Sequence, residues 1–149
     1  MNRIILVQFD QLNRDFGVIK SSNPDSDLVV FIESERMRTG RNWHKQRLFF
    51  LTSSARHFAK ELQAEGFEVK YLKATSTVAG LTQIKSETGI SEVVTTSPNS
   101  FQSLSNLNEI GVSFLDSDFF LTPREIFQDW ASTQKSFTME NFYRMQRER

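Results

Sequence analysis

A helix, a turn and a strand follow one another directly in residues 44–72 of this 149-residue chain. Apolar residues recur there at spacings of three and four, which predicts one apolar stripe along a helix over residues 44–65. The stripe consists of Leu48, Leu51, Ala55, Phe58 and Leu62. Gly66 ends the predicted helix, and residues 67–71 then alternate apolar and polar side chains, as strands do. The unit therefore predicts a helix that packs on a sheet, with Leu51 and Phe58 buried against it.

Four more segments have strand patterns, at residues 4–9, 28–32, 92–96 and 112–115. The first two are nearly continuous apolar runs, which indicates strands covered on both faces. Helices are predicted over residues 78–88, 100–108, 122–131 and 139–149. This alternation predicts an α/β fold with an open, doubly wound, mainly parallel five-stranded sheet and helices on both faces, that is, a Rossmann-like fold.

Local signals mark the ends of three helices. Gly89 is expected as a C-cap and Ser100 as an N-cap. Thr122, Pro123 and Glu125 have the pattern of a capping box, with Thr122 as the N-cap and proline in the first helical position.

The composition excludes several classes of protein. Eighteen basic and 18 acidic residues give a net charge of zero, so no global field attracts nucleic acid or membrane. The chain has no Cys, which excludes disulfides and Cys-ligated metal or iron–sulfur sites within it. No apolar run is long enough to span a membrane. We therefore expect a cytoplasmic protein without a membrane partner.

Polar residues follow the predicted strands where a doubly wound sheet binds ligands, at the carboxyl ends. Asp10, Gln11 and Leu12 follow the first strand, and Glu33 follows the second. No GxGxxG or Walker A sequence is present, which argues against a Rossmann oxidoreductase or a P-loop enzyme. A ligand would instead use side-chain amides, backbone N–H groups and the helix start near His44.

Positive charge is concentrated in residues 36–47, predicted as a loop. The segment contains no acidic residue and five basic ones, which are Arg36, Arg38, Arg41, Lys45 and Arg47. One interpretation is a solvated loop, and the other is a surface for an anionic ligand or a nucleic-acid backbone.

No other residues form a coherent catalytic or metal-binding set. His44 and His57 are 13 residues apart without a third ligand at suitable spacing, so no metal site is predicted. Asp116 and Asp118 are explained by a turn at least as well as by acid–base catalysis.

Three stretches resemble photolyase-related proteins, most closely the bacterial cryptochrome and (6-4) photolyase branch with an iron–sulfur cluster. The order of the stretches in the chain matches that of the family. They are Asp10-Gln11-Leu12, then His44-Lys45 with Ala55-Arg56-His57-Phe58-Ala59, then Trp130-Ala131 with Met139-Glu140-Asn141-Phe142-Tyr143-Arg144.

The resemblance implies an N-terminal antenna domain that can hold a light-harvesting 6,7-dimethyl-8-ribityllumazine. The FAD and the 4Fe-4S cluster would belong to a C-terminal flavin domain that these 149 residues do not contain, so we interpret the chain as a fragment. Residues 1–132 would form the antenna domain, and residues 133–149 would begin the linker. The parent would resemble a deoxyribodipyrimidine or (6-4) photolyase, and would be the route of contact with DNA. The fragment alone would have no catalytic residue.

The resemblance also implies roles for individual residues. Asp10, Gln11 and Leu12 would line the crevice, Glu33 would accept hydrogen bonds, and three residues of the long helix would flank the ligand. Those three are His44, Lys45 and Leu48. Arg144 and Arg147 would contact DNA or the flavin domain, or be solvated. The sequence departs from the family at Phe9, where a glycine is usual, and at Asn99-Ser100-Phe101, which replaces Glu-Trp-Arg.

Two other classes stay open at this point. One is a free-standing nucleotide-binding or signalling module without photochemistry, which the missing phosphate loop disfavours. The other is a small enzyme with carboxylates in the crevice, which the lack of a nucleophile–base set disfavours.

Overall fold

The computed structural model describes residues 1–40 and 42–149, which form two units. Met1–Ser117 holds the sheet and its helices, and Asp118–Arg149 holds two further helices. The domain boundary proposed after residue 132 stays a prediction.

The first unit is built on a five-stranded sheet in which every strand pair is parallel. Its strands are β1 (Arg3–Leu6), β2 (Asp27–Ser34), β3 (Glu68–Ala74), β4 (Val93–Thr96) and β5 (Ser113–Leu115). Their order in the sheet is β3-β2-β1-β4-β5. The predicted doubly wound, Rossmann-like α/β class is confirmed.

Helices connect most of the strands. They are α1 (Glu35–Thr39), α2 (Lys45–Ala64), α3 (Thr77–Thr88) and α4 (Phe101–Glu109), with α5 (Arg124–Ser132) and α6 (Met139–Glu148) in the second unit. A single 3-10 turn, Ile19–Ser21, lies between β1 and β2. The predicted caps at Gly89 and Ser100 are confirmed, since Gly89 has a φ of 72° and the Ser100 hydroxyl accepts from the Ser103 N–H.

The two faces of the sheet carry separate apolar cores. Ala55, Phe58 and Leu62 of α2 pack on the face that contains Val29 and Phe31 of β2. The opposite face, which contains Val30 and Ile32, is covered by α3 and α4. The predicted arrangement of helices on both faces is therefore confirmed. It follows from right-handed crossovers, because the chain reverses its direction across the sheet after β3.

Helix α3 approaches the sheet closely at Gly80. A Cβ atom at this position would lie 2.8 Å from Cγ2 of Ile32, which is too close for two carbon atoms. A glycine is therefore needed here for α3 to pack on β2.

An ion pair fixes the amino-terminal end of the sheet. The Arg3 guanidinium donates to both carboxylate oxygens of Asp27, from Nε at 2.9 Å and from Nη2 at 3.0 Å. Arg3 and Asp27 are also partners in the β1–β2 register. The bidentate pair thus holds the two strands in the register that places their apolar residues in the cores.

Two predicted element boundaries are wrong. The first strand was expected over residues 4–9 but ends at Leu6, because the backbone turns at Gln8, where its carbonyl accepts from the Gln11 N–H. The segment expected as a loop over residues 36–47 begins with helix α1, since Ser34 caps it by accepting from the Met37 N–H. Arg41 of that segment lies outside the described residues.

The predicted capping box of α5 is wrong as well. Helix α5 begins at Arg124 with Pro123 as its N-cap, and no side chain caps it. The ψ of Pro123 is 153°, so this residue is extended, and Thr122 lies one position too far from the helix to cap it.

The burial predicted for Leu51 is also wrong, because the side chain is only half-buried. The fully buried residues of α2 begin one turn later, at Ala55, where the helix meets the side chains of β1 and β2.

Phe58 tests this packing directly. The Phe58 side chain is 6% exposed and meets the Phe31 ring edge to face, with centroids 6.3 Å apart. We expect Phe58→Ala to lower the free energy of unfolding by about 3–5 kcal/mol in denaturant melts, because it leaves a cavity. Phe50→Ala is the control, since Phe50 is 68% exposed and should change stability by about 0.5 kcal/mol or less. Equal losses in both variants would contradict the assignment of the α2 core face.

Candidate functional site

The strand order reverses between β1 and β4, which makes their carboxyl ends the topological switch point of the sheet. Ligands of doubly wound proteins bind in the crevice at this point. The residues that follow β1 and β4 therefore decide whether this crevice is open.

Two glutamine side chains close the switch point. Gln8 Nε2 donates to the Thr96 carbonyl at 2.9 Å and lies 3.3 Å from both Gln11 Oε1 and Thr95 Oγ1. Gln11, which is buried, donates from Nε2 to the Ser97 carbonyl at 3.0 Å. These amides bond to one another and to the backbone at the end of β4, so they have little capacity left for a ligand.

The rim of the switch point is also held by hydrogen bonds within the chain. The Thr96 hydroxyl accepts from the Val18 N–H at 2.7 Å. Asp10 is exposed and accepts from Nδ2 of Asn99 at 3.1 Å. Of the three residues predicted from the first loop, Asp10 thus lies on the rim and Gln11 lies beneath it.

A buried carboxylate lies near the carboxyl end of β2. The Glu33 side chain is 3% exposed, and one of its oxygens accepts from Arg56 Nη2 at 2.6 Å and from the Tyr71 hydroxyl at 3.0 Å. Arg56 is on α2 and Tyr71 on β3, so Glu33 joins three elements. Both donors to Glu33 are side chains of the protein, and its role as an acceptor for a ligand stays a prediction.

The electrostatics of this cluster favour a charged Glu33. Burial acts to raise the pKa of Glu33, but the hydrogen bonds from Arg56 and Tyr71 outweigh it and hold the pKa below its usual 4.5. Burial, reinforced by the hydrogen bond to Glu33 and opposed by Arg56, raises the pKa of Tyr71 to about 12. Arg56 and Glu33 therefore form an ion pair, and Tyr71 stays a neutral donor.

Aromatic rings cover the sheet beside this cluster. Tyr71 stacks on Phe31 with ring centroids 5.9 Å apart and an interplanar angle of 17°. The ring centroids of Phe9 and Tyr71 are 6.2 Å apart, and the Arg56 guanidinium lies 5.9 Å from the Tyr71 centroid. Phe9 thus occupies space above the strand ends that a smaller residue would leave open.

A groove of about 440 Å³ remains between the first loop and α2, and we call it the Leu12 groove. Leu12, Asn13 and Asp15 line one side, while Ser54 and Phe58 line the other. Arg14, also in its lining, binds Glu61 of α2 at 2.7 Å and Glu65, the C-cap of that helix, at 2.6 Å. These two ion pairs hold the loop against the helix. Both are exposed, so their contribution to stability is small.

The three site residues predicted on α2 lie at its beginning. His44 is the N-cap and accepts from the Gln46 N–H through Nδ1 at 3.3 Å. Lys45 is exposed and Leu48 is half-buried. Within the described residues, no hydrogen bond or ion pair joins these three to Glu33 or to the first loop. Leu12 is the only predicted site residue in the lining of the Leu12 groove.

The second unit contains the two arginines predicted to contact DNA or another domain. Arg144 donates to Glu140 on the same helix at 2.6 Å, and Arg147 lies 5.8 Å from the Tyr143 ring centroid. Phe127, Trp130 and Phe142 cluster beside them, with the Trp130 and Phe142 centroids 5.0 Å apart. The role predicted for Arg144 and Arg147 stays a prediction.

In the described part of the chain, no three His, Cys, Asp or Glu residues are grouped so that they could hold a metal ion. None of its helices has both the length and the apolar character needed to cross a membrane.

Gln8, Arg56 and Tyr71 form the main contacts of the site, and reasoning from the sequence did not select them. Arg56 belongs to a stretch that was noted only for its family resemblance. The structure brings Tyr71 to Glu33 through the β2–β3 register, in which Tyr71 pairs with Phe31, two residues before Glu33 on the same face of the sheet. The predicted strand over residues 4–9 included Gln8, so its bond to Thr96 at the switch point was not expected.

Comparison with known proteins agrees with the architecture. The family described as deoxyribodipyrimidine photo-lyase-related protein matches residues 5–149. A (6-4) photolyase of Agrobacterium fabrum (strain C58 / ATCC 33970) is 28% identical over 159 aligned residues, which cover 99% of this chain. The alignment covers 31% of that photolyase, so the chain spans about a third of the length of this curated relative. The chain belongs to the deoxyribodipyrimidine photo-lyase-related family.

The Glu33 cluster makes stability depend on pH in a defined direction. The pKa of Glu33 is lower in the folded protein than its usual 4.5. The ionised Glu33 therefore contributes fully to stability above pH 4.5. This contribution is lost as the pH falls through the folded-state pKa. We expect Glu33→Gln to be less stable than the parent at neutral pH and to lose less stability between about pH 5 and pH 3.

Glu68→Gln is the matched control, because Glu68 is exposed and has no ion-pair partner in the described part of the chain. A second readout is the carboxyl chemical shift of Glu33, whose titration midpoint should rise in Tyr71→Phe, since one of its two hydrogen bonds is removed. The role of the cluster would be contradicted if the parent and Glu33→Gln lost equal stability between about pH 5 and pH 3. An unchanged titration midpoint in Tyr71→Phe would contradict it as well.

Proposed function

We propose that this chain is the N-terminal, antenna-type domain of a photolyase- or cryptochrome-like flavoprotein of the iron–sulfur branch. The observation that carries the proposal is the family match over residues 5–149, which coincides with a doubly wound sheet. The role of the domain is to bind a chromophore and to dock on a flavin domain.

The redox chemistry of such a protein belongs to its other domain. A 4Fe-4S cluster needs Cys ligands, and this chain has none. The proposal therefore assigns the FAD, the cluster and any repair of DNA to a C-terminal flavin domain of the parent, which would also be the route of contact with DNA.

The proposed ligand of this domain is 6,7-dimethyl-8-ribityllumazine, which would absorb light for the flavin. The switch point itself does not fit this ligand, because its amides are already paired and Phe9 packs on Tyr71. The Leu12 groove fits better, since its volume falls in the usual range for ligand sites. Asn13, Asp15 and Ser54 can exchange hydrogen bonds with ribityl hydroxyls.

Helix α2 can position both parts of such a ligand. Ser54 and Leu48 are six residues apart, which corresponds to about 9 Å along a helix. Leu48 also lies about 120° around the helix from Ser54, so a ligand with its ribityl chain beside Ser54 would curve around the start of α2 to place its ring against Leu48, near His44 and Lys45. On the other side, Asp10 would contact the ligand, and Gln11 and Glu33 would hold the walls through their bonds to the backbone beyond β4 and to Arg56.

The second unit supports the docking role. Several of its large apolar residues are exposed, and Leu121 and Met139 are among the most exposed of them. Exposed apolar residues gathered in a short segment indicate a surface that another domain covers. In this proposal the flavin domain is that partner, and Arg144 and Arg147 contribute to the same contact.

Lumazine binding tests the ligand proposal. We expect the fluorescence of added ribityllumazine to change saturably, and we expect Ser54→Trp and Leu48→Trp each to weaken binding at least about tenfold by filling the site. Phe101→Trp is the control, because Phe101 is exposed on a helix that covers the opposite face of the sheet. The proposal fails if no binding occurs, or if all three variants bind as the parent does.

Flavin content tests the division of labour between the domains. The purified 149-residue chain is expected to contain no stoichiometric flavin, because the proposed flavin site lies in the other domain. The visible absorption spectrum measures this, with free FAD added and then removed by gel filtration as a control. Retention of one flavin per chain would contradict the proposal.

A further inference from the structure

The basic stretch without acidic residues extends beyond residues 36–47 to residue 60. Residues 36–60 contain seven of the 18 basic residues of the chain and none of its 18 acidic ones. The segment also contains Trp43, Phe49 and Phe50. Basic residues interleaved with aromatic ones occur in proteins that bind single-stranded nucleic acid.

The structure arranges part of this segment in a row on the outer face of α2. Lys45, Phe49, Ser53 and Lys60 fall within an arc of about 80° around an ideal helix, on the side away from the core residues. All are exposed except Ser53, which is half-buried, and Phe49 is 75% exposed. The row extends for about 22 Å, which matches roughly six nucleotides at 3.4 Å each.

A groove of about 420 Å³ runs beside this row, between α2 and the edge strand β3. Phe49, Lys60, Arg56 and Tyr71 belong to its lining, and no carboxylate does. The Leu12 groove lies on another side of α2, and His57 lines both grooves.

Two cations of the row, Lys45 and Lys60, are not neutralised in the part of the chain that the structure describes, and Arg47 near the start of the helix resembles them in this respect. Arg56 pairs with Glu33, but within the described residues no acidic side chain lies within 4 Å of the charged groups of Lys45, Arg47 or Lys60. Arg47 instead lies over the Trp43 ring, 4.2 Å from its centroid. The face therefore has the positive charges of Lys45 and Lys60 in a net-neutral protein, together with the exposed ring of Phe49.

We infer that this outer face of α2 is a binding surface for single-stranded nucleic acid. The lysines contact backbone phosphates, and Phe49 stacks on a base. A mononucleotide is too short to reach both Lys45 and Lys60, and a duplex hides the faces of its bases, so the row fits a flexible strand. The proposed antenna function uses one residue of this row, Lys45, whereas Phe49 and Lys60 belong to this inference alone and test it independently.

Fluorescence anisotropy of the 149-residue chain with labelled oligonucleotides tests the inference. The probes are a 12-nucleotide oligo-dT, an abasic strand with the same number of phosphates, and a 12-base-pair duplex. We expect oligo-dT to bind with a dissociation constant between about 1 and 100 µM at physiological salt. The abasic strand and the duplex should each bind at least about fivefold more weakly, because neither offers a free base to Phe49.

Matched variants separate stacking from charge. Phe49→Ala should weaken oligo-dT binding at least about fivefold and remove the preference over the abasic strand. Lys60→Gln should make the slope of log affinity against log salt shallower by about 0.7, the value for one phosphate contact on a single strand. The controls are Phe101→Ala and Lys85→Gln, on the helices that cover the other face of the sheet, and both should bind as the parent does.

Each remaining outcome overturns the inference. Equal binding of oligo-dT and the abasic strand would indicate a general polyanion surface, which would suit an acidic protein or an anionic membrane. Equal binding of the duplex would indicate contact with phosphates alone. No binding at 100 µM protein would remove nucleic acid as the partner. Thermal melts confirm folding of the variants, since Phe49 and Lys60 are exposed and their replacement leaves the core intact.

Discussion

A buried strand with a carboxylate near each end organises this protein. All eight residues of β2 are buried, including Asp27 and Glu33. An unpaired charge in such a position would be very costly, so each carboxylate requires a cation from another element. Arg3 of β1 binds Asp27 and thereby sets the register of the two strands. Arg56 of α2 binds Glu33, which fixes the helix over the strand ends.

The position of α2 determines which surfaces are left for ligands. Arg56 and Tyr71 satisfy Glu33, Phe9 packs on Tyr71, and the glutamines bond to β4 and the residue after it. Together they close the place where a doubly wound sheet usually binds its ligand. The open surfaces lie on either side of α2 instead, next to the first loop and next to β3.

The periodic patterns of the sequence were sufficient to predict the sheet and its helices, because apolar periodicity reports burial directly. Contacts between distant residues were not predictable in the same way. The bond between Glu33 and Arg56 depends on the register of β2 and β3 and on the rotation of α2, and neither can be read from spacing. The predicted capping box at Thr122 does not form, because Pro123 is extended and the helix begins one residue later. The burial predicted for Leu51 was wrong because an apolar stripe indicates which face of a helix is buried, but not how far along the helix the core extends.

The two proposed surfaces on α2 share Lys45 at the start of the helix, but Ser54 and Phe49 lie on different sides of it. Ser54 and Phe49 are five residues apart, which places them about 140° apart around the helix axis. A ligand beside Ser54 therefore does not exclude a strand stacked on Phe49. Both surfaces depend on the same anchor, because the Arg56–Glu33 pair sets the position of the helix. Loss of that pair should disturb both surfaces together, whereas substitutions at Ser54 or Phe49 should affect one surface alone.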